Sequence, residues 1–156
     1  MPGAMKTDGT EVLIKMLSSL GNQTMNIAAS ALYDGAGVVA DAYAKAVDNI
    51  RTSERRHQEP GGRLPTPEEK EALKATGIAR FNKDVDGVDT IVGVAEGYTS
   101  LKGRKKAIKL LARSINHGTH FMKRQPVFRM ASTTSRMAAQ NAMIEKADEL
   151  INKIAK

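Results

Sequence analysis

Seven apolar residues, Ala28, Leu32, Ala36, Val39, Tyr43, Ala46 and Ile50, recur at steps of three and four. A strand turns its side chains over at every residue, so this spacing draws a single stripe only on an α-helix. It predicts a helix from about Thr24 to Arg51, roughly 40 Å long at 1.5 Å per residue. Gly35 and Gly37 lie inside it, each at a cost of up to about 1 kcal/mol, which implies close backbone packing or a kink there. The 156 residues suit one domain. Aromatics are 4% with no Trp, so the interior must come from Leu, Ile, Val, Met and Ala, a mix that suits helices better than a large β-sandwich.

A shorter helix is expected ahead of the long one, from Thr10 to Leu20. Asp8 and Glu11 have capping-box spacing, Leu13, Leu17 and Leu20 share a face, and Gly21-Asn22 supplies a stop. Thr52 to Pro65 is rich in Gly, Pro and charge and reads as an exposed, mobile loop, most clearly over 52–65 as a whole. Thr66-Pro67-Glu68-Glu69 then has the chemistry of a helix start: a capping hydroxyl, a proline at the first helical position, and acids at the positive end of the dipole. That helix stops near Thr76-Gly77. Ile78–Lys83 and Thr90–Ala95 are strand-like around Asp86-Gly87, which predicts a β-hairpin. Lys102–Leu111 suggests a short helix that Arg113–His117 either extends or leaves as a strand. His117-Gly118-Thr119 breaks the chain, Met122–Gln125 is a basic loop closed by Pro126, and a last helix runs from Val127 or Phe128 to Ile154. The expected fold is α+β, with a long N-terminal helix and a C-terminal helix packed on a small antiparallel β-sheet that includes the hairpin. It forms a single domain over 1–156.

Charge is distributed unevenly. Residues 1–96 hold 11 Lys/Arg against 14 Asp/Glu, whereas residues 97–144 hold 10 Lys/Arg and no acid. The acid-free stretch predicts attraction to polyanions or to acidic faces of other proteins. Its candidate contact residues are Lys102, Arg104, Lys105, Lys106, Lys109 and Arg113, with Lys123 and Arg124 beyond them. Few aromatics interleave with these cations, so contact with nucleic acid would be to backbone phosphate and indifferent to sequence.

Other chemistry finds little footing. There is no Cys, which removes disulfides and thiolate metal sites and suits a reducing cytoplasm. The first ten residues lack the pattern of a secretory signal, and no apolar run approaches the roughly 18 residues that span a bilayer. Phosphate-binding glycine loops and nucleophile elbows are absent from the sequence. His117 and His120 are three apart with no acid near in sequence, and Ser114 is near His117 only by adjacency. Asp84, Asp86 and Asp89 flank the hairpin turn without the spacing of a calcium loop. No catalytic, metal or cofactor residue is assigned: the chain is expected to be a non-enzyme with no cofactor.

Several short features fall in one order: Thr76-Gly77-Ile78 before the hairpin, then Ala112-Arg113 leading to Gly118-Thr119, then Gln125-Pro126-Val127-Phe128-Arg129-Met130-Ala131 entering the last helix. In this order they resemble the tail-component proteins of tailed bacteriophages of siphophage type, variously called head–tail joining, neck or tail-completion proteins. Members of that family show Thr-Gly-x-Leu before a strand, then Ala-Arg, Glu-Phe/Tyr-Gly-Thr and Pro-Phe-Leu-Arg-Pro-Ala. Here Asn116-His117 replaces the Glu-Phe/Tyr pair, and Met130 replaces the second proline. The loss of that Glu puts any family salt bridge there in doubt.

The resemblance implies a structural virion protein of the neck or tail end, joining the head connector to the tail tube as one subunit of a homo-oligomeric ring, six subunits being the expected number. It also implies connector and tail-tube proteins as partners, double-stranded DNA passing through, no membrane, and residence in the virion after assembly in the host cytoplasm. On the residues alone, Gly118 permits a backbone conformation that a side chain would block, Pro126 sets the entry to the last helix, Phe128 is a core anchor, and Arg129 is placed to pair with an acid or reach a neighbouring subunit. The competing expectation is a sequence-nonspecific nucleic-acid-binding protein.

Overall fold

The computed structural model describes residues 8–54, 60–78, 82–84, 87–94, 97–101 and 103–155. Among them are four helices and six short strands. These are α1 (Asp8–Asp48), α2 (Pro67–Ala72), β1 (Thr76–Ile78), β2 (Asn82–Asp84), β3 (Gly87–Asp89), β4 (Val92–Val94), β5 (Tyr98–Leu101), β6 (Arg104–Ala107), α3 (Ile108–His117) and α4 (Val127–Ile154). The mixed helix-and-sheet class matches the expectation, and α4 has the bounds read from Pro126 onward.

The N-terminal part does not. One continuous helix of 41 residues, α1, replaces the two expected there. Gly21-Asn22 fails to stop it because Gly21 does not take the positive φ of a helix-ending glycine. A single exposed glycine costs only about 1 kcal/mol against two flanking segments of the same period. The backbone of Asp8 opens α1, while the side chains of Asp8, Glu11 and Leu13 lie outside the described residues.

Why α1 and α4 pack on each other follows from their small residues. Ala31, Ala36 and Ala46 are buried on α1, and Ala131, Ser135 and Ala139 are buried on α4. A Cβ built on Gly35 would stand 2.3 Å from Met143 Cε and 3.1 Å from the Ala139 carbonyl oxygen. So Gly35 marks a close approach of the two helices, as the close-packing alternative expects. Gly37 has nothing within 4 Å. The helices run antiparallel, because Gly35 meets Ala139 and Met143 while Ala46 and Ala131 line one depression further along.

A second, larger-residue core sits at the C-terminal end of α1. Val47, Ile50, Leu73, Leu111, Ala112, Ile115 and Met122 cluster there, with Val94, Ile108, Val127 and Phe128 against them. Each fully buried Leu, Ile or Val contributes about 1.5–3 kcal/mol. The end of α1, the short α2, the amphipathic α3 and the start of α4 are thus held around one point.

The strands form three two-stranded antiparallel pairs. β1 pairs with β4 (Ile78 opposite Val92), and β2 with β3, so the expected hairpin pairing is present, with Gly87 inside β3 opposite Asp84 and residues 85–86 outside the described residues. Three residues separate the two pairings on the first side and two on the other, so the register slips by one between them. β5 and β6 were not expected. The Lys-rich run Arg104–Ala107 is a strand paired to Tyr98–Leu101, and only from Ile108 does the chain turn helical. The helix reading of Lys102–Leu111 is therefore corrected for its first half. Gly103, with φ 75°, turns the hairpin at a conformation that residues with a side chain rarely adopt.

The reading of 52–65 as a wholly exposed loop also needs correction. Ser53 N–H donates to the Pro65 carbonyl (3.0 Å), and Pro65 is fully buried. Arg63 N–H donates to Phe121 O, and Lys123 N–H donates to Arg63 O, both at 2.9 Å. Gly62, with φ 100°, passes so near Met122 that a Cβ would stand 2.8 Å from its backbone. Residues 55–59 lie outside the described residues. No helix is long and apolar enough to cross a membrane among the described residues.

Candidate assembly surface

Glu69 organises the loop beneath the basic segment. It is the third residue of α2 and closes a capping box: Thr66 Oγ1 accepts from Glu69 N–H (3.2 Å), and Glu69 Oε2 accepts from Thr66 N–H (3.0 Å). The same carboxylate takes a two-pronged bond from the Arg63 guanidinium, 2.7 Å to each oxygen, and a bond from a second cation, Lys106 Nζ, at 3.1 Å. Its side chain is only 3% exposed. Burial pushes this carboxyl upward, but the bonds from Arg63, Thr66 and Lys106 together outweigh it and bring the pKa down to about 2. The sequence marked Glu69 only as an acid near a helix start. Its role as the hub joining α2, β6 and residue 63 was missed, because two of its partners come from elsewhere in the chain.

Lys106 is therefore spoken for. Of the other candidate cations, Lys105, Lys109, Arg113, Arg124 and Arg129 are exposed and Lys123 is half-buried. Lys102 lies outside the described residues, as does the side chain of Arg104, whose backbone belongs to β6. Lys109 and Arg113 are one turn apart on α3, whose other side buries Leu111, Ala112 and Ile115. They rim a cleft of about 200 Å³ floored by Tyr43, Val94, Ala112 and Phe128. Phe128 is half-buried and meets Tyr43 edge-on, ring centres 5.5 Å apart. Arg124 and Arg129 border a separate depression with Pro126, Met130, Thr133 and Thr134. The fold thus gathers the cations on α3 and those at the start of α4 into two adjoining exposed areas.

The turn between α3 and α4 is built by the residues singled out from the sequence. Gly118 has φ 76°, and a Cβ there would stand 2.9 Å from Arg124 Cβ, so both conformation and space call for glycine. Thr119 Oγ1 accepts from the N–H groups of Phe121 (3.3 Å) and Met122 (3.1 Å), which ties the turn. Pro126 precedes α4 without a side chain able to cap it, and Asn116 does so from a distance: its Oδ1 accepts from Arg129 N–H at 3.2 Å. Asn116 therefore has a structural task here. Gln125 is buried and pairs with the backbone of Arg51 in both directions, accepting at 2.9 Å and donating at 3.0 Å. Thr76 and Gly77, at the other end of the motif series, open β1, with Thr76 opposite Val94.

The side chains weighed for catalysis are placed differently. Ser114 Oγ donates to the Leu110 carbonyl (2.9 Å), and His117 lies at the cleft rim beside Asn116. His120 stands edge-on to Phe121. No group of three or more His, Cys, Asp or Glu able to hold a metal occurs among the described residues. Compared with protein families, with curated proteins and with solved structures, the chain matches none.

Proposed function

We propose that this protein is a structural virion component of a tailed phage, a ring subunit at the neck or tail end that joins the head connector to the tail tube. One observation carries the reading: the chain exposes a row of acids on α1 and, on α3, α4 and the turn between them, large apolar side chains together with cations. Leu110, Phe121, Met130, Met137 and Ile144 are all exposed, on or beside the helices and the turn that bear the motif residues. Asp34, Asp41 and Asp48 are exposed on α1, while Lys109, Arg113, Arg124 and Arg129 are exposed on the opposite half of the chain. A ring subunit touches its neighbours head to tail and so needs two unlike, complementary faces. Large apolar groups left in water are the mark of surfaces that other proteins cover. The motif residues Gly118, Thr119, Pro126 and Arg129 build the single turn that sets α4 against the rest.

Native mass measurement of the purified chain, with electron microscopy of it alone and with connector and tail-tube proteins, tests the proposal. A closed ring of one stoichiometry, six expected, supports it. A chain that stays monomeric in every mixture and is absent from particles sinks it. The exposed pair Lys109 and Arg113 favours a second reading, sequence-nonspecific binding to nucleic acid. Sub-micromolar affinity for duplex DNA at low salt, with a steep loss as salt rises, would favour that alternative.

A further inference from the structure

The outer side of α4 carries large apolar residues that stay exposed among the described residues, the first of them, Met130, at the edge of the depression shared with this chain's own α1. Met130, Met137 and Ile144 are 61%, 65% and 59% exposed, and Ile151 follows them. Each is seven residues from the next. At 3.6 residues per turn they form one narrow stripe, on the side away from buried Ala131, Ser135 and Ala139. So in its middle stretch α4 turns Ala131, Ser135 and Ala139 inward and leaves Met130, Met137 and Ile144 in solvent, although Val127, Phe128 and Met143 still pack inward. An apolar repeat of seven is the seam of a helix-to-helix contact.

Charge and level say what covers it. Arg129 and Arg136, also seven apart and both exposed, flank the first half of the stripe, in a stretch with no acid. The outer side of α1 has the complementary chemistry. Asp34, Asp41 and Asp48 are exposed and seven apart, and among the described side chains of α1 Lys45 is the one exposed lysine. Between them Gly37 and Ala44 present no bulk to an incoming knob, and Gly37 has open space around it. The heights agree as well. From the Ala46–Ala131 level of the antiparallel pair, two residues on along α1 and two back along α4 reach Asp48 and Arg129. Five residues the other way reach Asp41 and Arg136. A second copy standing at the same height therefore brings its aspartates level with these arginines.

We infer that the Met130/Met137/Ile144/Ile151 stripe docks on the Asp34/Asp41/Asp48 side of α1 of a second copy of this chain. In a series of copies α1 and α4 then alternate as a palisade. The contact joins unlike faces, so it repeats from copy to copy and closes wherever the rotation allows. Closure rests on the ring reading above; the contact itself does not.

The chain has no Cys, so introduced thiols report cleanly. Met137→Cys and Asp41→Cys proteins are mixed and oxidised. The expected product is the mixed disulfide, at least tenfold over either self-linked dimer. Predominance of a Met137→Cys self-dimer would overturn the proposal in favour of a two-fold contact, and absence of any dimer would overturn it outright. In the double variant the two thiols lie on opposite edges of the helix pair, beyond the roughly 7 Å between Cα atoms that a disulfide spans, so every link joins two copies. A ladder that stops at one ring number supports both the contact and the ring, whereas an open-ended ladder supports the contact and sinks the ring. Adding Gly37→Leu should leave the helical circular dichroism and melting temperature undiminished and lower the mixed product at least tenfold. Unchanged cross-linking in that stable variant would overturn the proposal.

Discussion

Replacing Glu69 by Gln isolates the contribution of one buried carboxylate. In the native chain it is held by Arg63, Thr66 and Lys106 and titrates at about 2, against 4.5 for a free carboxyl. At 1.36 kcal/mol per unit this corresponds to about 3 kcal/mol. Arg63 is 20% exposed, so on losing its partner it recovers some hydration and the net loss at pH 7 should be about 2–3 kcal/mol. For a chain of this length that is a fall of about 4–12 °C in melting temperature. The pH dependence has a definite sign. A carboxyl whose pKa is lower folded than unfolded stabilises the fold above the unfolded value and loses that effect as pH falls through the folded one. The gap between native and Glu69→Gln proteins should therefore be full above about pH 5 and shrink between 4.5 and about 2. Thermal melts by circular dichroism at half-unit pH steps measure it. A gap that is the same at pH 7 and pH 2.5, or no gap at all, would refute the electrostatic argument.

Two glycines two residues apart should respond in opposite directions. Gly37→Ala should raise stability by about 0.5–1 kcal/mol, since its added methyl meets nothing. Gly35→Ala should lower it by about 1–3 kcal/mol by pressing on Met143 and the Ala139 carbonyl, as read by urea denaturation. Gln125→Ala should cost about 2 kcal/mol, because it strands both backbone groups of Arg51. Ser135→Ala should be neutral or stabilising by about 1 kcal/mol, since the Ser135 hydroxyl is buried without a partner among the described residues. Chemical denaturation midpoints compare both with the native chain.

How far the sequence could be read depended on whether a signal was local. The helix start at Thr66-Pro67, the entry of α4 after Pro126, the hairpin pairing around Asp86-Gly87 and the break at Gly118 all rest on neighbours within a few residues, and each was legible. The unbroken α1 was not. Gly21-Asn22 has the composition of a stop, and only continuity of packing over the whole helix overrides it. The β5–β6 hairpin hid because Arg104-Lys105-Lys106 has no apolar alternation. The available signal was Lys102-Gly103 beside the strand-prone Tyr98–Leu101. Of the candidate surface, the cations were legible as a list. Their sorting was not, since Lys106 turns in to Glu69 while Lys109 and Arg113 face out. The stripe on α4 escaped notice because Met130, Met137, Ile144 and Ile151 read equally well as core until the alanines were found to occupy that place.

The two ends of the helix pair are held very differently. Near Asp48 and Val127, the Gln125–Arg51 pairing, the Arg63–Met122 bridge and the Val47–Ile115 cluster tie four segments together. Toward Leu20 and Ile154, α4 ends without any such knot among the described residues. Backbone amides should therefore exchange with deuterium along a gradient, within seconds at the open end and last of all around Val47 and Ile115. The pair would breathe like tongs hinged at one end, which leaves its looser tips free to adjust to whatever they meet.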